Sequence, residues 1–137
     1  MYYKLFPYSA QLIAKLAELK QALAHAYSAV RHMTSRCVGM LCKLHTTVTM
    51  EFILEHVIAM LELDASVPSR QGAMEALMCV VNALSVDVVP YIVLLIVPVL
   101  GRMSDQNAPV RLMASQCFAT LIKLLPLEVR RKLIDNA

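Results

Sequence analysis

Residues 110–124 read VRLMASQCFATLIKL, and Val110, Met113, Ala114, Cys117, Phe118, Leu121 and Ile122 follow one another at i, i+3, i+4, i+7 spacing, a stripe that Leu125 continues. That period predicts an amphipathic helix, because 3.6 residues per turn bring these positions to one side. Arg111, Ser115, Gln116 and Lys123 fall off the stripe. Eighty residues earlier, VRHMTSRCVGMLCKL (30–44) matches it at Val30/Val110, Arg31/Arg111, Met33/Met113, Ser35/Ser115, Cys37/Cys117, Leu41/Leu121, Lys43/Lys123 and Leu44/Leu124. Between them, SRQGAMEALMCVVNAL (69–84) sets Arg70 under Arg31 and Arg111, and Ala73 under Thr34 and Ala114, at offsets of 39 and 41. A fixed period near 40 is the mark of stacked supersecondary units. The middle copy is apolar on nearly every side (Met74, Leu77, Met78, Cys79, Val80, Val81, Leu84), as a helix flanked on both sides must be.

A further apolar segment precedes each of the later copies: EFILEHVIAMLEL (51–63) and PYIVLLIVPVLGRM (90–103), 39 apart when Phe52 is set on Tyr91 and Leu61 on Leu100. Pro90 suits a first helical turn; Pro98, mid-segment, is expected to kink the helix that holds it. Asp64 to Ser69 and Asp105 to Pro109 are the expected intra-pair turns. In the first unit Gln11 to Ala24 supplies Leu12, Leu16, Leu19 and Leu23, with no Gly or Pro to mark a turn near Tyr27. The expected architecture is an all-α solenoid of three helix pairs, 8–45, 49–84 and 88–126, followed by a short basic helix or tail, 127–137.

Composition agrees. Of 137 residues 58% are hydrophobic and 17% charged, against about 25% charged in ordinary domains, which argues against disorder. Gly39, Gly72 and Gly101 are too far apart to form a phosphate-cradling loop, so no nucleotide cofactor site of the Walker or dinucleotide kind is expected. A net charge of +3 and a pI of about 8.7 are too weak to predict direct nucleic-acid binding; the cluster Arg130, Arg131, Lys132 reads as a solvated end. The run Val88 to Leu100 is 13 residues long and holds two prolines, short of the ~20 that span a bilayer, so no membrane partner is expected.

One polar feature recurs in register with the stripe. Asp64 precedes Arg70 by six residues and Asp105 precedes Arg111 by six. An Asp in the turn and an Arg in the first turn of the next helix can hydrogen-bond, and stacking can link such pairs into a structural ladder of Asp64, Arg70, Asp105 and Arg111. His25 holds the position in the first unit, where the ladder is expected to break.

Paired helices of about 40 residues, Pro in the first helix, Asp in the turn and V-R opening the second resemble HEAT repeats. Val89 to Glu128, VPYIVLLIVPVLGRMSDQNAPVRLMASQCFATLIKLLPLE, is similar to the last HEAT repeats before the motor in the TATA-binding-protein-associated factors of the Swi/Snf-type ATPase group, and Val30 to Leu44 to an earlier repeat. The resemblance implies a nuclear transcription regulator whose repeats grip TATA-binding protein and whose ATP-driven motor pulls it from DNA. The opening MYYKLFPYSAQLIAKLAELKQ and the ending VRRKLIDNA depart from that pattern. With no motor motif present, the chain is expected to be a non-catalytic scaffold with protein partners, touching DNA only indirectly and taking no small-molecule substrate. A HEAT adaptor with another protein partner, or part of a larger ATP-dependent remodeller, are the alternatives.

Other chemistry is outweighed by packing. His32, Cys37, Cys42 and His45 are close in sequence, but zinc ligands must converge at about 2.0–2.3 Å and residues 37 and 42 lie about 500° apart around a helix. Cys37 and Cys117 read as small hydrophobes, and no Cys sits in the electropositive niche a nucleophile needs. Met33, Met74, Met78 and Met113 read as core filler, and Glu51, Glu55 and His56 as a solvated face.

Overall fold

A computed structural model of the chain describes residues 7–136, and these form helices and turns with no strand among them. In chain order they are α1 (Pro7–Leu23), α2 (Ser28–Leu44), α3 (Thr46–Phe52), α4 (Val67–Leu84), α5 (Ile92–Arg102), α6 (Ala108–Leu124) and α7 (Leu127–Asp135). The all-α solenoid-like architecture expected from the repeat is the one present. α2, α4 and α6 pack in sequence, with α4 in the middle; α1 lies against α2 and α4, and α5 against α6.

The burial of α4 follows from that position. Ala73, Met74, Ala76, Leu77 and Val80 are fully buried and Val81 nearly so, covering both sides of the helix. Ser66 caps α4 by accepting from the Ser69 N–H, and Asn107 caps α6 by accepting from the Val110 N–H, each followed by a proline in the first turn. Both helices therefore start inside the turns expected from sequence, since a proline that donates no hydrogen bond costs nothing there. Gly72 lets α1 reach α4: a Cβ at that position would fall 1.6 Å from the Leu23 carbonyl oxygen.

Two segments differ from simple helices. The stretch expected as one helix over 51–63 is α3 followed by a π turn (Ile53–Val57) and a 3-10 turn (Ala59–Leu61). Pro90 lies in a 3-10 stretch (Ser85–Tyr91) ahead of α5 rather than in its first turn, and α5 runs on through Pro98. Ser85, at φ 49, is the positive-φ residue that separates α4 from this stretch. Residues 67–102 together are long and apolar enough to cross a membrane, but this break divides them, and α4 is a core helix.

The packing overturns two expectations. Met33 is 59% exposed and Cys37 is exposed, although their counterparts Met113 and Cys117 are half-buried and buried. The cause is position: α4 and α5 both pack on α6, while nothing among the described residues covers that side of α2. Met74 is buried and Met78 half-buried. Leu16 and Leu23 are buried and Leu19 half-buried; the side chain of Leu12 lies outside the described residues.

Candidate interaction surface

The polar residues between the helices form a connected track. Each Arg that opens a second helix folds back on its own turn: Arg31 Nη1 donates to the His25 and Ala26 carbonyls at 2.8 and 2.9 Å, Arg70 Nη1 to the Ala65 carbonyl, and Arg111 Nη1 to the Asp105 and Gln106 carbonyls at 2.7 and 3.2 Å. Such bonds cap the turn without a carboxylate, which is why the first unit keeps the arrangement with His25 in place of an acid.

The links between units run forward. Arg70 donates through Nε and Nη2 to Asp105 Oδ2 and Oδ1 at 2.9 and 3.2 Å, a two-pronged pair between α4 and the turn ahead of α6. Arg102 Nη1 adds a third bond to Asp105 Oδ2 at 3.0 Å, and the Asn107 N–H a fourth to Oδ1 at 2.8 Å. Asp105 is 4% exposed. Burial alone would raise its pKa, but the Arg70 hydrogen bond, the Asn107 N–H and the two guanidinium charges outweigh it and hold the carboxyl below its ordinary value. Beside this clamp, Arg31 Nη2 donates to Gln71 Oε1 at 2.7 Å and Gln71 Nε2 to Asn107 Oδ1 at 3.1 Å, so one chain of side chains crosses three units.

The carboxylate bonds expected within each unit are absent among the described residues, and the link between stacked units runs from Arg70 to Asp105. Asp105 serves the Arg of the preceding unit through its side chain and gives Arg111 only its carbonyl. Asp64 is exposed and has no hydrogen bond or ion pair among the described residues. Gln71 and Asn107 were missed because their bond joins two units; Arg102 pairs within its own unit, and its i, i+3 spacing to Asp105 was a signal the sequence did carry.

Three of the four cysteines are held away from the thiolate form. Burial pushes the Cys42 thiol up to about 11 and Cys117 up to about 12, the reverse of an activated nucleophile. Cys79 also lies above its ordinary value, through burial first and the Glu75 charge second. No three His, Cys, Asp or Glu side chains cluster as metal ligands among the described residues. His32 pairs instead with Glu75 on α4. Glu51, Glu55 and His56 line a cleft of about 300 Å³ with Leu16, Ala17, Val48 and Phe52, open to solvent. Arg131 and Lys132 are exposed, while Arg130 closes the end of α6 by donating to the Leu125 and Lys123 carbonyls at 2.9 and 3.2 Å.

What the molecule offers is surface. On α5, Val93, Leu94, Val97 and Leu100 are all more than half exposed; on α2 so are Met33, Met40 and Leu44. Uncharged helix faces of this kind suit contact with other helices.

Comparison with known proteins agrees. The family model for the HEAT-repeat domain of the proteasome adapter and scaffold protein ECM29 matches residues 24–137. The human TATA-binding protein-associated factor 172 is 55% identical over 118 residues, 85% of this chain. The Schizosaccharomyces pombe TATA-binding protein-associated factor mot1 is 40% identical over 120 residues, 86% of the chain, and the Arabidopsis thaliana TATA-binding protein-associated factor BTAF1 38% over 117, 85% of the chain. The chain spans only about 6% of the length of these relatives.

Proposed function

Because the chain belongs to the HEAT-repeat family and aligns with a repeat region of TATA-binding protein-associated factors, we propose that it is a non-catalytic scaffold segment of a nuclear transcription regulator. In this reading the regulator grips TATA-binding protein and frees it from DNA with an ATPase domain that this sequence does not contain. The observation that carries it is the 55% identity with the human factor across 85% of the chain. The units 8–45, 49–84 and 88–126 act as successive spacers, and 127–137 as a basic end. Their contribution is geometric: each unit touches its neighbours, and the stack sets the curvature and spacing of whatever surfaces it carries. The buried Asp105 clamp supports this, since a carboxylate held by two guanidinium groups fixes one packing angle between α4 and α6.

Capture of purified TATA-binding protein on the immobilised chain tests the partner. Retention that survives physiological salt is expected; no retention by a chain that is helical by circular dichroism overturns it. The family model's own description favours a second reading, a HEAT adaptor with another partner, and purified proteasomes run in parallel distinguish the two.

A further inference from the structure

α2 and α6 share eight of fifteen residues and bury Thr34 and Ala114 alike, yet they turn different flanks to solvent. On α2 the covered face holds Arg31, Ser35, Gly39 and Cys42. It seats on α4: Arg31 reaches Gln71, the Ser35 hydroxyl lies 3.5 Å from the Gly72 carbonyl, and Gly39 lies against Cys79. The same positions on α6 are open: Arg111 and Ala119 are exposed, and Ser115 and Ile122 half-exposed. Conversely α2 exposes Met33, Cys37 and Leu44, whose counterparts Met113, Cys117 and Leu124 pack into the core where α4 and α5 cover α6.

We propose that the chain stacks head to tail on a second copy of itself, the open face of α6 in one copy seating on the open face of α2 in the next. The occupant is a second copy because the equivalents of the two open faces, on α4 and α6, already pack against each other within one chain. On α6 this flank reads Arg111, Ser115, Phe118, Ala119, Ile122, with Phe118 and Ile122 half-buried at its inner edge, where the corresponding positions of α4 read Arg70, Met74, Leu77, Met78, Val81. Arg70 points from this side of α4 to Asp105 ahead of α6. α6 thus takes the part of α4, and the incoming α2 the part of α6, which its matching Met, Cys and Leu fit it to play. The contact joins two different surfaces, so it does not close at two copies as a two-fold dimer does, and mass grows past the dimer with concentration. One element is missing. Position 25 is the counterpart of Asp105, and the Tyr27 N–H donates to His25 Nδ1 at 3.0 Å just as Asn107 donates to Asp105. His25 supplies no carboxylate to Arg111.

Analytical ultracentrifugation of the full chain over a wide concentration range tests this independently of any other partner. Average mass is expected to rise past the dimer. Met40→Glu, on the exposed face of α2, and Ala119→Glu, on that of α6, are each expected to leave a folded monomer, and an equimolar mixture of the two to stop at a one-to-one dimer. His25→Asp, which restores the carboxylate, is expected to tighten association at least tenfold. A wild-type chain that stays monomeric, a single variant that still associates (as it would through the α5 stripe), or a mixture that fails to pair overturns the proposal; unchanged affinity in His25→Asp overturns its register.

Discussion

The two junctions of α4 are built differently although the helices on either side read alike. Toward α6 the contact is electrostatic: Asp105, 4% exposed, is held by Arg70 and Arg102. Toward α1 and α2 the buried contact is steric: Gly72 admits the Leu23 carbonyl, Gly39 admits Cys79, and Gln71 accepts from Arg31, with the His32–Glu75 pair at its more exposed edge. Close backbone approach leaves no room for adjustment, whereas a buried ion pair fixes geometry at a desolvation cost that only complete pairing recovers. One helix can thus hold near-identical neighbours by unlike means.

The largest effect is expected at the steric junction. Gly72→Ala puts a Cβ 1.6 Å from a backbone oxygen that cannot rotate away, so the cost exceeds the usual overpacking range and reaches about 4 kcal/mol. Urea unfolding followed by helical ellipticity measures it; a loss under about 1 kcal/mol would show that α1 is not seated on α4. Next comes Asp105→Ala, which strands two buried guanidinium groups and costs about 3 kcal/mol, whereas Asp64→Ala at the exposed equivalent stays within about 0.5 kcal/mol.

The same carboxylate gives the α6 side a pH dependence. The folded pKa of Asp105 is depressed, so its contribution is present above the ordinary carboxylate pKa and is lost as pH falls through the lower folded value. Wild type is expected to lose more stability than Asp105→Asn between pH 7 and pH 3, and parallel curves would remove the clamp from the account. Smaller again are the caps. Ser66→Ala removes one cap, about 1 kcal/mol. Asn107→Ala removes a cap and the Gln71 link together, about 2 kcal/mol, and equal costs would mean that the Gln71 bond contributes nothing.

How much of this was legible in sequence depended on whether a feature repeats. The helices, their pairing and the central place of α4 followed from a stripe that recurs near every 40 residues. Which face of a terminal helix meets water did not, because Met33 and Met113 carry the same local pattern and differ only in their neighbours. The Asp and Arg residues were found by their spacing, which suggested carboxylate bonds six residues apart as well as links between stacked units; the former are absent among the described residues, while Arg70 reaches 35 residues ahead to Asp105. Gln71 and Asn107 recur nowhere as a pair, and their bond exists only once the units are stacked.

The smallest expected effects are the most direct check on the contrast between α2 and α6. Gly39 and Ala119 are equivalent positions, one buried against Cys79 and one exposed. Ala119→Gly costs about 0.5–1 kcal/mol in backbone entropy. Gly39→Ala gains the same amount from helix propensity, but its Cβ would lie 3.1 Å from both the Cβ and the carbonyl oxygen of Cys79. The carbonyl belongs to α4 and yields only if the helices part, so crowding cancels the gain and the net change is about zero. If Gly39→Ala instead stabilised the chain by a full ~1 kcal/mol of propensity, α2 and α4 would have slack between them, and the closed face of α2 would be no better packed than the open face of α6.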